Sequence, residues 1–310
     1  MLPVRCKPVA ISCAAAALLL AAVLALPLAA QRRQPDENGM YQQEGYWVQY
    51  LGERNEKSAD SFVKKINGLC DTLLTEENSV FCAIIPDKSH YLPDEGWPVL
   101  DYDAMVSQVQ TGLDDSITWV SLADRLTLTD YYKTDAHWRQ ETLQPVVDAL
   151  GEAMGFSQDL SGWEENVFEG FVGSYGKYIS DQAEPETLVW LTSPATETAR
   201  VDNFQYPDAT AVYDTSKLSG AGSYDVFLNG ATPLQTIENP NAATDRELVI
   251  FRDSFASSLA PLLCEQYRTI TLIDLRYMVS GLVPQYVTFT DQDVLFLFSS
   301  WVVNESAMLR

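Results

Sequence analysis

Residues 247–263, ELVIFRDSFASSLAPLL, constrain this chain more than any other stretch. Leu248, Val249, Ile250 and Phe251 read as a buried strand, and Arg252, Asp253 and Ser254 form a polar break after it. Phe255, Leu259, Leu262 and Leu263 then recur at helical spacing. A strand that turns sharply into a helix belongs to a layered α/β fold. Such a turn projects a serine hydroxyl from the strand's carboxyl end, with the helix's unsatisfied N–H groups aimed at it. Two roles fit this stretch equally: a nucleophile at Ser254, or a helix cap supplied by Asp253 or Ser254.

A serine nucleophile needs a base to take its proton and a carboxylate to fix the base's tautomer. The chain has two histidines, His90 and His137, and only His137 has an aspartate, Asp135, two residues before it. His90 follows the apolar run 80–85 and the turn Pro86-Asp87-Lys88. It reads either as a polar loop residue or as a border of a substrate cleft, since α/β sites collect beyond strand ends.

Thr134-Asp135-Ala136-His137-Trp138, with Arg252-Asp253-Ser254-Phe255 downstream, resembles the DHHW family, relatives of the alginate O-acetylation proteins with SGNH-hydrolase-like domains. The resemblance runs from about residue 55 to the C-terminus. It takes in Ile85-Pro86-Asp87-Lys88, Gly173-Ser174-Tyr175-Gly176 and the run 294–298. It implies a triad of Ser254, His137 and Asp135, with Asp-x-His ahead of the serine, the reverse of the ordinary SGNH order. Arg252 stands where the ordinary Gly-Asp-Ser motif has glycine. The expected activity is O-acyl, specifically O-acetyl, transfer to a cell-surface or secreted polysaccharide, with a multipass membrane O-acyltransferase as acyl donor. A carbohydrate acetylesterase and a non-catalytic glycan-binding or scaffold protein are the alternatives. In this reading Asp253 and Arg252 hold the turn, and Asn304, after the last strand, joins the Ser254 N–H as an oxyanion donor. Trp138, Tyr132, His90 and Tyr175 are expected to bind substrate.

At the other end, residues 9–30 are almost entirely apolar and follow Arg5 and Lys7. That length spans ~30 Å of hydrocarbon, and the positive flank keeps the N-terminus cytoplasmic. An uncleaved signal anchor is expected, placing the catalytic part outside the cell membrane; secretion after cleavage before Gln31 is the alternative. Residues 31–54 read as a stalk and 55–310 as the catalytic domain. The formal charge is −23, and −25 once the leader's Arg5 and Lys7 are taken away. Such a surface repels a phosphate backbone, which argues against nucleic acid as a partner.

Helical spacing at Phe62, Ile66, Leu69 and Leu73, at Met105 and Val109, and at Leu143, Val147, Leu150 and Met154 alternates with strand-like runs at 80–85, 117–121, 269–275 and 294–298. Asp101 is placed to cap the second helix, and Pro145 fits only the first turn of the third. The pattern predicts a flavodoxin-like parallel sheet with helices on both faces. Residues 156–246, rich in glycine, aromatics and threonine, read as a β-rich insertion with strands over 187–192 and 224–228. Cys70, Cys82 and Cys264 make no disulfide framework, though a Cys70–Cys82 bridge stays open. No ligand spacing points to a metal and no glycine-rich loop to a cofactor.

Overall fold

The computed structural model describes residues 32–179 and 182–310. The expected anchor at residues 1–30 lies outside them. Among the described residues no helix is long and apolar enough to cross a membrane.

The first described elements are two short strands, β1 (Met40–Gln43) and β2 (Tyr46–Gln49), paired as a hairpin. This corrects the stalk expected there. Glu44 and Gly45 both take positive φ, at 50° and 79°, which matches the twist of a two-residue hairpin turn. Tyr41, Tyr46 and Val48 are buried, and the Trp47 N–H donates to the Lys133 carbonyl at 2.9 Å. The segment is therefore part of the domain.

Helix α1 (Glu56–Leu73) starts at Asn55, whose side chain accepts from the Ser58 N–H. It leads into β3 (Ser79–Ile85), then α2 (Tyr102–Gly112), capped by Asp101 as expected, and β4 (Ile117–Trp119). A long irregular stretch carries the chain to α3 (Gln144–Met154), with Pro145 in its first turn. Strands β5 (Glu164–Phe171) and β6 (Glu186–Thr192) pair with each other alone. Then come β7 (Arg200–Asn203), β8 (Leu234–Glu238), β9 (Glu247–Arg252), α4 (Ala256–Leu263), β10 (Thr269–Ile273), β11 (Asp293–Ser299) and α5 (Ser300–Asn304).

The central sheet has seven strands in the order β4-β3-β11-β9-β10-β8-β7. The five from β4 to β10 are parallel, whereas β8 runs antiparallel to β10 and β7. The sheet is mixed, then, and not parallel throughout. Only eight residues separate the end of β8 from the start of β9, too few for the crossover that parallel strands require, so β8 runs against β9. The stretch read as an insertion thus supplies two strands of the core sheet. Residues 220–226 form a 3-10 helix where a strand was expected over 224–228.

Alternate residues of the central strands enter two separate cores. Phe81, Ala83, Leu248, Ile250 and Leu297 pack under α3 and α4. Cys82, Ile84, Val249, Phe251 and Phe296 pack under α1 and α2. Helices cover both faces, which is why the strands are apolar on both sides. Cys70, Cys82 and Cys264 are free thiols.

Strand register decides where the loops meet. Leu297 of β11 pairs with Arg252 of β9, and Ser299 pairs with Ile85 of β3. The carboxyl ends of three central strands therefore lie level, bringing the turns at Asp87, Ser254 and Ser300 to one edge, where α/β proteins bind ligands.

Candidate active site

The turn after β9 is held from below. Arg252 is fully buried, and its guanidinium donates to Gln235 Oε1 at 2.5 Å, Ser257 Oγ at 2.9 Å and the Asp253 carbonyl at 3.3 Å. Its side chain points toward α4, away from the turn's outer surface, so arginine fits where a glycine was the expected residue. Asp253 Oδ1 accepts from the Phe255 N–H at 3.1 Å, and Oδ2 accepts from the Ser299 N–H at 2.8 Å. The helix α4 has no side-chain cap, and Asp253 instead closes the turn and ties β9 to β11. With both its oxygens engaged, the Ser254 hydroxyl is left for another partner.

That partner is His137, whose Nε2 lies 2.7 Å from Ser254 Oγ. Its Nδ1 lies 2.5 Å from Asp135 Oδ1, which also accepts the His137 N–H at 2.9 Å. Nδ1 paired with a carboxylate carries the proton and leaves Nε2 free to accept from the serine. The ring is clamped as well. Tyr224 stacks on it with centroids 3.9 Å apart and planes 11° from parallel, and Phe255 packs at 4.7 Å.

Asp135 is fully buried. Burial pushes its carboxyl up, but the His137 charge, the bonds from His137 and the Ser174 N–H at 2.6 Å outweigh it. The carboxyl is held well below the usual carboxylate range, so it stays ionised.

The loop carrying Asp135 and His137 hangs on Lys88, a wholly buried lysine whose Nζ donates to the Tyr132 carbonyl at 2.6 Å and the Asp135 carbonyl at 2.5 Å. The Tyr175 ring lies 5.0 Å from the same ammonium. Burial lowers the Lys88 pKa to about 8 against the opposing pull of Asp87, Asp135 and Glu186. On the other side Thr134 Oγ1 donates to Glu186 Oε1 at 2.6 Å and accepts from the Gly173 N–H at 2.9 Å.

Ser254 and His137 open onto a cleft of about 190 Å³, bounded by Asp87, Tyr175, Tyr178, Lys177, Ser300 and Trp301. Of the residues expected to bind substrate, Tyr175 alone borders it. Trp138 is wholly buried and donates from Nε1 to Ser258 Oγ at 2.9 Å and the Phe255 carbonyl at 3.2 Å. It is a wedge between the histidine loop and α4. Tyr132 is buried among Phe171 and Tyr224, and its backbone serves the site: the carbonyl accepts from Lys88 and the N–H donates to the His137 carbonyl at 3.1 Å. His90 packs edge-on against Tyr91 and borders a different cavity with Trp97 and Asp101. Asn304 is no oxyanion donor: its amide donates to the Leu51 and Glu53 carbonyls and accepts the Asn55 N–H, anchoring the start of α1. The Ser254 N–H has no hydrogen-bond partner among the described residues.

Sequence reasoning assigned no role to Lys88, Ser174, Tyr224, Ser300 or Trp301. Lys88 and Ser174 lie within motif segments that were legible; nothing in the sequence separates Tyr224, Ser300 or Trp301 from ordinary core and loop residues. Among the described residues no group of three or more side chains is arranged to hold a metal ion.

The sequence profile of the family described as DHHW protein matches residues 116–273 of the chain, a span that includes Asp135, His137 and Ser254. No curated protein sequence matches it. Among solved structures it is similar to a DHHW family protein from Eubacterium siraeum, at 20% identity and a TM-score of 0.70, over 86% of this chain and 92% of that one. It is also similar to PatB1 from Bacillus cereus bearing a sulfonyl adduct, at 16% identity and a TM-score of 0.66, over 85% and 97% of the two chains. PatB1 without the adduct gives 16% and 0.63, over 85% and 96%. At these identities the likeness is one of fold: an α/β domain with a mixed sheet.

Proposed function

The chain belongs to the DHHW family, whose profile covers residues 116–273, and on that footing we propose that it is a serine-dependent O-acyltransferase that acetylates a cell-surface or secreted polysaccharide. The observation that carries this reading is the unbroken link from Asp135 Oδ1 through His137 to Ser254 Oγ, at 2.5 Å and 2.7 Å. A capping serine has no need of a clamped imidazole, and one is present here.

Ser254 Oγ attacks the acyl carbonyl of the donor while His137 Nε2 takes the hydroxyl proton. The imidazolium, held by the ionised Asp135, returns that proton to the departing group, leaving an ester on Ser254. A sugar hydroxyl then attacks the ester carbonyl as His137 removes its proton. The product is an O-acyl sugar, and Ser254 recovers its hydrogen. Trp301, 43% exposed, is the one exposed residue from Asp293 to Asn304, and it stands at the cleft mouth. Its indole forms the wall on which the acceptor sugar lies, an amphipathic ring meeting an amphipathic ligand.

Acyl groups reach Ser254 from a multipass membrane O-acyltransferase, and the domain works outside the cell, held at the membrane by residues 9–30. The apolar leader and its positive flank support that placement.

Acetyl content of the wall and exopolysaccharide, measured by mass spectrometry with and without the protein, tests the proposal. Loss of acetyl on deletion is expected. A gain would make the protein an esterase, since transfer and hydrolysis share one acyl-enzyme; no change would leave a glycan-binding role.

A further inference from the structure

We propose that Ser300 is a catalytic residue, its hydroxyl donating a hydrogen bond to the acyl oxygen beside the N–H of Ser254. This rests on the acyl-enzyme reading of Ser254. Ser300 is 1% exposed, lines the cleft with Ser254 and His137, and its buried Oγ has no hydrogen-bond partner among the described residues. Burying a hydroxyl without a partner is costly, and proteins seldom leave one so unless something else completes it. Nearby hydroxyls show the contrast. Ser257 Oγ accepts from Arg252, and Ser258 Oγ accepts from Trp138 and Tyr224.

Placement comes from the sheet. β11 lies beside β9, and the Ser299 N–H bonded to Asp253 Oδ2 at 2.8 Å fixes the turn after β11 against the turn that holds Ser254. Two donors without partners among the described residues, the Ser254 N–H and the Ser300 hydroxyl, thus belong to turns at adjacent strand ends that line one cleft.

When Ser254 Oγ bonds to the acyl carbon, the carbonyl π pair moves onto oxygen and the Ser254 proton moves to His137 Nε2. The new oxyanion accepts from Ser254 N–H and Ser300 O–H. Collapse returns the pair to the C=O bond, breaks the bond to the leaving group and sends the His137 proton to it. Fixed donors aimed at charge that develops only in the transition state raise kcat rather than affinity.

Ser300→Ala in the full-length protein tests this with an activated acetyl ester. Loss of one such donor is expected to lower kcat about 10²- to 10³-fold with KM little changed. Thermal unfolding should stay where it was or rise, because the lost hydroxyl bonds nothing in the fold. Ser300→Cys, close in volume with a weaker donor, should fall between Ser300→Ala and wild type. An unchanged kcat in Ser300→Ala would overturn the proposal, as would equal rate losses in both variants accompanied by a drop in stability. A wild-type protein that neither turns over the ester nor forms an adduct at Ser254 would overturn the triad reading and this one with it. An active wild type matched by Ser300→Ala would overturn this one alone.

Discussion

Gly173 and Asp135 touch so closely that no side chain fits between them: a Cβ built on Gly173 would lie 2.3 Å from Asp135 Cβ and 2.7 Å from its Oδ2. The glycine is required by close approach, since its φ lies outside the left-handed region. Gly173→Ala must push the carboxylate off the Ser174 N–H and turn the His137 ring. Overpacking of this kind costs ~1–3 kcal/mol, and displacing catalytic groups by about 1 Å costs ~10²-fold in rate. Thermal unfolding and acyl turnover of Gly173→Ala read the two effects. A variant with full turnover would show that Asp135 tolerates movement.

Asp135→Asn keeps the shape and removes the charge. Acyl turnover should fall steeply, by the ~10⁴ that the same change costs serine proteases, while the fold persists. The stability effect carries a sign. Because the folded carboxyl is depressed, its contribution is fully present above the unfolded carboxylate value of ~4 and is lost as pH falls below that. The stability gap between wild type and Asp135→Asn should be constant from neutral pH to about 5 and shrink at lower pH. A gap that widens on acidification would contradict it.

Lys88 moves stability in the same direction with pH, although its buried charge is a cost where that of Asp135 is a gain. Its folded pKa of about 8 lies below the ~10.4 of an unfolded lysine, so between those values the unfolded chain holds more protons. The burial cost of the charge is full below pH 8 and is relieved as pH rises through that window. Denaturation of wild type and Lys88→Met at pH 7 and pH 10 should show wild type gaining on the variant, by at most about 3 kcal/mol. A pH-independent difference would mean that Lys88 does not titrate there.

Trp301→Ala removes the exposed wall of the cleft. Stability should move by less than about 0.5 kcal/mol, as for most exposed positions. The KM for a polysaccharide acceptor should rise ~2- to 10-fold, in line with the ~0.5–1.5 kcal/mol that aromatic pairs add beyond burial. An unchanged KM would put the acceptor elsewhere.

Asp135, His137 and Ser254, which the structure brings together, were legible from two patterns, an apolar strand ending in Asp-Ser and an Asp-x-His in a chain with two histidines, each ambiguous alone and joined by the family resemblance. What surrounds them was not. Trp138 and Tyr132 flank that motif as aromatics do at a sugar site, yet both are buried: Trp138 holds the histidine loop against α4, and Tyr132 packs on its other side with Phe171 and Tyr224. Asn304 follows the last strand as an oxyanion donor would, but its amide serves the chain at Leu51 and Glu53, 253 and 251 residues away, a contact no local pattern encodes. Tyr224 reads as a strand residue; its role as a clamp on His137 depends on a 3-10 helix that sets its ring against the imidazole. Residues 234–238, Leu-Gln-Thr-Ile-Glu, carry no apolar alternation, since the buried positions are Gln235 and Ile237, so the antiparallel edge was invisible.

Covalent labelling decides whether Ser254 is a nucleophile. The purified protein is treated with a sulfonyl fluoride or an activated acetyl ester, and the adduct is located by peptide mass spectrometry. A hydroxyl 2.7 Å from a carboxylate-held imidazole should react, and a serine without a base should not. One adduct is expected, on Ser254, abolished by His137→Ala and retained in His90→Ala. Labelling at another residue, or an unlabelled Ser254 in folded protein, would contradict it.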